Sequence, residues 1–185
     1  MNNKRTTFVV ALPRSRTCWL NNLLLPAFDA RHEVMIDYPD LSALRTSVDS
    51  DERHSVIVDT TAFQRLPEIR AAFPHAQYVV IRRDPAEIEN SLAAIGMLPV
   101  TFDDLVEQFE TEANVLSIRN FDIDWRLLSD PDIAEDLWDY LGNPSPFDAA
   151  RHKWLCGVSV TLRMDAFKAR MREIRRGRGD HAASP

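Results

Sequence analysis

Glycine is scarce in this chain: five in 185 residues, and none in the turn where a nucleotide-binding reading would want them. No GxxxxGK[ST] run is present, which argues against an ordinary ATPase or GTPase. No GxGxxG follows a strand, so the dinucleotide fingerprint is missing as well. Cysteine is nearly absent. Cys18 and Cys156 have no CxxC spacing and fit a reducing compartment better than a disulfide scaffold. No apolar run approaches the ~20 residues of a membrane span. Residues 1–7 are too few and too polar for a secretory signal, so a cytoplasmic location is expected. Net positive charge is also lacking. A balance of −6 repels a polyanion and argues against nucleic-acid binding as the main task. No cluster of metal ligands is read from the spacing, and no metal is expected.

What is present is ordinary globular material, 45% hydrophobic and 27% charged, enough for one domain over residues 1–185 with a real core. Residues 177–185 read as a disordered tail. Short apolar runs at 8–12, 55–58, 78–81 and 115–118 read as strands, with a further short strand possible at 33–36. Helices are expected from Thr17 onward, over 66–73, 85–95, 102–114 and 130–141, and from 148 to about 176. A weak helix through Leu44 fades into a polar surface connection over 47–54. Strands alternating with helices predict an α/β fold with a mostly parallel sheet. Ligands in such folds sit outside the carboxyl ends of the strands. That rule selects residues 13–17, 59–61 and 82–84.

The first of these is Pro13-Arg14-Ser15-Arg16-Thr17. Pro13 stops a buried strand, and Thr17 can cap the helix that follows. A strand feeding directly into a helix leaves free backbone N–H groups at the sheet edge, an anion site. Arg14, Ser15, Arg16 and Thr17 add positive charge and hydroxyl donors to it. A second basic turn, Arg83-Asp84-Pro85, is followed by Ser91, eight positions after Arg83. An arginine at a strand end and a serine two turns into the next helix can converge on one anion.

Together the two motifs resemble the sulfotransferases that use 3′-phosphoadenosine-5′-phosphosulfate (PAPS). In that family a strand ends in a segment like PxSGTTWL, matched here by Pro13-Arg14-Ser15-Arg16-Thr17-Cys18-Trp19-Leu20. A second strand ends in an arginine with a serine eight residues later, matched by Arg83 and Ser91. The likeness covers roughly residues 7–142. It implies a three-layer P-loop-like fold, a five-stranded sheet of order 2-3-1-4-5 and helices on both faces. It also implies PAPS as donor and adenosine 3′,5′-bisphosphate (PAP) as product, without metal. The 5′-phosphosulfate would sit on the amides of residues 14–19. Arg14 would neutralise charge on the leaving phosphate, Ser15 and Thr17 would donate hydroxyl hydrogen bonds, and Arg83 with Ser91 would hold the 3′-phosphate. Trp19 matches a position that packs on adenine, and reads equally as a core tryptophan.

Three departures stand out. Arg16 replaces the family's loop glycine, so the turn must take an ordinary conformation or bear strain. It could instead contact donor or acceptor. Cys18 replaces a hydroxyl-bearing residue, and Thr60 stands where many bacterial relatives have lysine. The base that takes the acceptor proton is expected at Glu33 or His32, with Glu33 preferred and Asp59 a third candidate. The acceptor would be a small molecule or conjugate carrying a hydroxyl or amine. Two rivals accompany this reading: a non-catalytic relative that binds a nucleotide or a partner, and a P-loop phosphotransferase. Residues 119–125 are expected to line the acceptor site. The run Arg175-Arg176-Gly177-Arg178-Gly179-Asp180 reads as a solvated charge run.

Overall fold

The computed structural model describes residues 5–117, 120–142, 144–158 and 169. The expected continuation of the last helix to 176, the tail and its basic run lie outside them. Five parallel strands form one sheet in the order β2-β3-β1-β4-β5. They are β1 (Thr6–Ala11), β2 (Asp29–His32), β3 (Ser55–Asp59), β4 (Gln77–Arg82) and β5 (Phe121–Asp124). The expected order 2-3-1-4-5 is the observed one. In the registered core of the sheet, Val9 pairs with Val58 on one side and Val79 on the other.

The pleat of β1 divides the hydrophobic core into two halves. Phe8, Val10 and Leu12 face one side, where they meet Leu44 and Val48 of α2 (Leu41–Ser50), Leu66 and Ile69 of α3 (Leu66–Ala72), Ile88 of α4 (Pro85–Ala93) and Phe109 of α5 (Phe102–Ser117). Val9 and Ala11 face the other. There they pack with Leu20 of α1 (Thr17–Leu24), Leu137 and Trp138 of α6 (Pro131–Tyr140) and Leu155 of α7 (Ala149–Cys156). The result is helix, sheet, helix. The three central strands are covered on both faces, which is why they read as unbroken apolar runs.

Both edge strands lie elsewhere than the sequence predicts. The strand expected at 33–36 is a one-turn 3₁₀ helix, Val34–Ile36, and the true edge strand is Asp29–His32 just before it. An edge strand pairs on one side only. Asp29, Arg31 and His32 can therefore keep polar partners, and the run carries no apolar signature. At the other edge, residues 115–117 are the end of α5 rather than a strand. Phe102, Phe109, Ala113 and Leu116 bury at helical spacing, while Val115 stays 57% exposed. That 3.6-residue period continues the stripe of α5 and overrides the β-like composition of 115–118. The strand comes after, in Phe-Asp-Ile-Asp, where only Ile123 is buried. The helix through Leu44 runs on to Ser50 as α2, and the hydroxyl of Ser47 accepts from Arg31 at 2.8 Å. Among the described residues, no helix is long and apolar enough to cross a membrane.

Candidate active site

The turn between β1 and α1 has an unusual backbone. Arg14 has φ 68° and Arg16 φ 60°, both left-handed, with Ser15 between them outside that region. Alternation of this kind turns successive N–H groups toward one concave side, an anion-binding nest at a helix N-terminus. Thr17 does not cap the helix as expected. Arg16 occupies the cap position with no side-chain capping bond, and Thr17 is the first helical residue. The turn therefore keeps the strained geometry a glycine would favour, at about 1 kcal/mol or more for each arginine. Ser15 is fully buried, and its Oγ has no hydrogen-bond partner among the described residues. A buried hydroxyl without a partner is costly, and one carried by such a turn suits an anionic oxygen.

The second motif meets the first here. Arg14 Nε donates to Ser91 Oγ at 2.9 Å, and Arg83 Nη1 donates to the carbonyl of Arg14. Arg83 also pairs with Glu87 one turn on, at 3.3 Å. The guanidinium of its neighbour Arg82 is engaged instead by Glu110 and Asp122. Trp19 is 4% exposed, set in the core edge-on to His152 at 5.6 Å, so the structure has its ring as a core side chain. Cys18 is partly exposed, and its Sγ accepts from Asn22 at 3.7 Å.

On the β2 side, the edge strand delivers His32 and Glu33 to the same turn. His32 Nε2 lies 3.2 Å from Thr17 Oγ1 and 3.7 Å from Glu33 Oε1. Glu33, itself at φ 54°, is gripped by Thr60, whose Oγ1 is 2.9 and 3.0 Å from its two carboxylate oxygens and whose N–H donates at 3.3 Å. Burial, helped by the negative charge of Asp59, pushes the Glu33 carboxyl up to about 7, against the pull of the Thr60 hydrogen bonds. Burial likewise lowers the His32 imidazole, with Asp59 opposing. Both groups are thus driven toward their neutral forms, and Glu33 titrates close to the pH at which a general base works best.

Asp59, the third candidate base, is fully buried and occupied. It accepts from the N–H of Met35 at 2.8 Å, and from the N–H and hydroxyl of Thr61 at 2.8 and 2.7 Å. It ties the turn after β2 to the turn after β3. Asp59→Ala is expected to cost about 3 kcal/mol by stranding these buried donors, read as a lower midpoint in urea unfolding. A loss below about 1 kcal/mol would contradict the structural role.

Trp125 is the site residue that the sequence places least well. It follows β5 directly, and its N–H bonds to the carbonyl of Arg82 at 2.9 Å. Three guanidinium groups gather at its ring: Arg83 at 4.3 Å, Arg16 at 5.3 Å and Arg126 at 5.5 Å. Arg16 also lies 5.5 Å from the Trp19 ring and donates to Ser129 Oγ. Trp125, in the segment 119–125 expected to line an acceptor site, contacts the arginines of both motifs; residue 119 lies outside the described residues. The signal was available in principle. Trp125 stands at a strand's carboxyl end, but with the strand expected at 115–118 the sheet-edge rule pointed elsewhere. Among the described residues, no group of three or more His, Cys, Asp or Glu side chains could hold a metal ion.

The chain matches no family model and no curated protein sequence. Solved structures do resemble it. The sulfotransferase domain of the olefin synthase of Synechococcus PCC 7002 superposes with a TM-score of 0.55 at 13% identity, over 91% of this chain and 94% of that one. The sulfotransferase STF1 of Mycobacterium tuberculosis H37Rv superposes with a TM-score of 0.55 at 16% identity, over 86% of this chain and 72% of that one. The chain therefore has the sulfotransferase fold.

Proposed function

We propose that this protein transfers a sulfuryl group from PAPS to a hydroxyl or amine of a small-molecule or conjugate acceptor. The observation that carries the reading is the meeting of two motifs 69 residues apart in sequence: Arg83 and Ser91 both hydrogen-bond to Arg14, at the strained turn that opens α1. Fold likeness alone would not assign an activity. A nucleotide with phosphate at both ends of its ribose needs two cationic subsites, and in this reading Arg14 and Arg83 supply them. The buried hydroxyl of Ser15 fits a phosphate oxygen.

In the reaction, an acceptor oxygen or nitrogen attacks sulfur in line, and the sulfur–oxygen bond to the 5′-phosphate breaks. The acceptor proton passes to the Glu33 carboxylate. Charge that builds on the departing phosphate oxygen is met by Arg14 and by the nest N–H groups. Arg83 and Ser91 hold the 3′-phosphate. No step needs a metal. At Trp125 the three arginines outnumber Glu87 and Asp124, which pair with Arg83 and Arg126, and the excess positive charge favours an anion at this edge of a chain of net charge −6.

Thermal melting tests the reading. PAP at a hundred times its dissociation constant stabilises by about 2.7 kcal/mol, a melting shift on the order of 5–10 °C for a domain of this size. ATP with magnesium should give little. A melting curve unmoved by millimolar PAP would sink the assignment. Labelled sulfate transfer to a panel of alcohols and amines then separates an enzyme from a non-catalytic binder.

A further inference from the structure

His32 stands between the anion nest and the base. One nitrogen, Nε2, is 3.2 Å from the Thr17 hydroxyl on one side and 3.7 Å from the Glu33 carboxylate on the other. From this shared geometry we propose that His32 is a positioning residue that reports occupancy of the nest to Glu33: an anion bound at residues 14–17 makes His32 take up a proton at Nε2, and the imidazolium then holds Glu33 as carboxylate. The proposal rests on the nest being the donor-phosphate site.

The argument is one of hydrogen-bond direction. A hydroxyl has one proton to give. With no anion in the nest, Thr17 can donate it to the lone pair of a neutral His32 Nε2. A phosphate oxygen is the stronger acceptor, so on binding the Thr17 proton turns to it. Thr17 Oγ1 then presents only lone pairs toward Nε2. Two lone pairs facing each other at this distance repel, and the conflict ends if Nε2 carries a proton. The bound negative charge selects the imidazolium over a mere change of tautomer. Once formed, the imidazolium lies beside Glu33 Oε1 and draws its carboxyl downward, so the base is deprotonated when donor is in place.

Among the described residues, two carboxylates bear on His32. Glu33 adjoins it in the chain, Asp59 at the end of β3 favours the imidazolium, and α1 contributes no charged side chain along its length. Burial opposes the imidazolium in the free protein. The imidazole is thus held neutral until a further negative charge arrives. Reciprocity makes the coupling measurable from either end: if the anion raises the affinity of His32 for a proton, acid raises the affinity for the anion by the same factor.

The test follows the His32 Cε1–H resonance by NMR through a pH titration of the full-length protein, with and without saturating PAP. The expected result is a rise in its midpoint of about one unit or more with PAP bound, lost in Thr17→Val. Parallel calorimetry should find that PAP binds more tightly at pH 6 than at pH 8, a pH dependence that shrinks in His32→Asn. PAP that binds while the His32 midpoint stays put overturns the relay and leaves the donor site standing. An equal rise in Thr17→Val also overturns it, since the coupling would then be through-space attraction alone. Failure of millimolar PAP to bind wild type overturns the donor-site reading and the relay with it.

Discussion

Glu33→Gln is expected to give a protein that is more stable than wild type at pH 8 and close to inactive. The stability half follows from linkage. The folded carboxyl titrates near 7, against an ordinary value of 4.5. Between those values the folded state binds more protons than the unfolded state, so wild-type stability falls as pH rises through that window and levels off above it. Each unit is worth about 1.4 kcal/mol. The side chain is a quarter exposed, which trims the total to about 2–3 kcal/mol. A glutamine avoids this cost and can still accept from Thr60. Urea unfolding at pH 5 and pH 8 reads the effect: the two proteins should be close at pH 5, with the variant ahead at pH 8. His32 contributes a slope of opposite sign, because its lowered imidazole favours the folded state as pH rises toward 6.5, but that slope is common to both proteins. Loss of the base should depress transfer about 10²–10⁴-fold. A variant that is both less stable at pH 8 and fully active would remove Glu33 from the mechanism. Gain of stability on loss of function is the usual mark of a group held in an unfavourable state for its chemistry.

The second large effect is a split between the two arginines that meet at the turn. Arg83→Ala should weaken PAP binding on the order of 10–100-fold, the worth of one or two charge-assisted hydrogen bonds. Arg14→Ala should weaken binding of the donor PAPS only a few fold and lower kcat by about 10²–10³, because its charge is needed most where the leaving phosphate develops negative charge. Arg83 also stacks on Trp125 at 4.3 Å and donates to the Arg14 carbonyl, so its removal disturbs the turn as well. Arg83→Lys keeps the charge but loses the planar fork, and should recover only part of the affinity. Calorimetry for binding and steady-state transfer for kcat separate the two roles. If Arg83→Ala binds PAP as wild type does, the 3′-phosphate assignment is wrong.

The turn at residues 13–17 illustrates how far residue types alone can go. Its arginines and hydroxyls mark an anion site in any conformation. Whether Arg16 would force an ordinary backbone or accept strain depended on what its side chain could reach. In the fold it lies at 5.5 and 5.3 Å from the rings of Trp19 and Trp125 and donates to Ser129, contacts that offset a left-handed φ of 60°. Trp19 is only three residues on, but Trp125 and Ser129 come from the chain beyond β5, more than a hundred residues away.

The sequence by itself determined the sheet's interior and the identity of its basic turns. β1, β3 and β4 are buried on both faces, so they must be continuous apolar runs, and the residues at their carboxyl ends can be read off directly. Arg14 and Arg83 were legible for that reason. Only the tertiary structure decided the edges. β2 and β5 pair on one side, tolerate Asp29, Arg31, Asp122 and Asp124, and leave no hydrophobic signal to locate them. The functional weight of the site's two flanks depends on those edges. β2 carries His32 against Thr17 and Glu33 against Thr60, while β5 carries Trp125 under three guanidinium groups. Hydrophobic burial is a property each residue carries with it. Proximity between polar groups from different strands exists only after the sheet has formed.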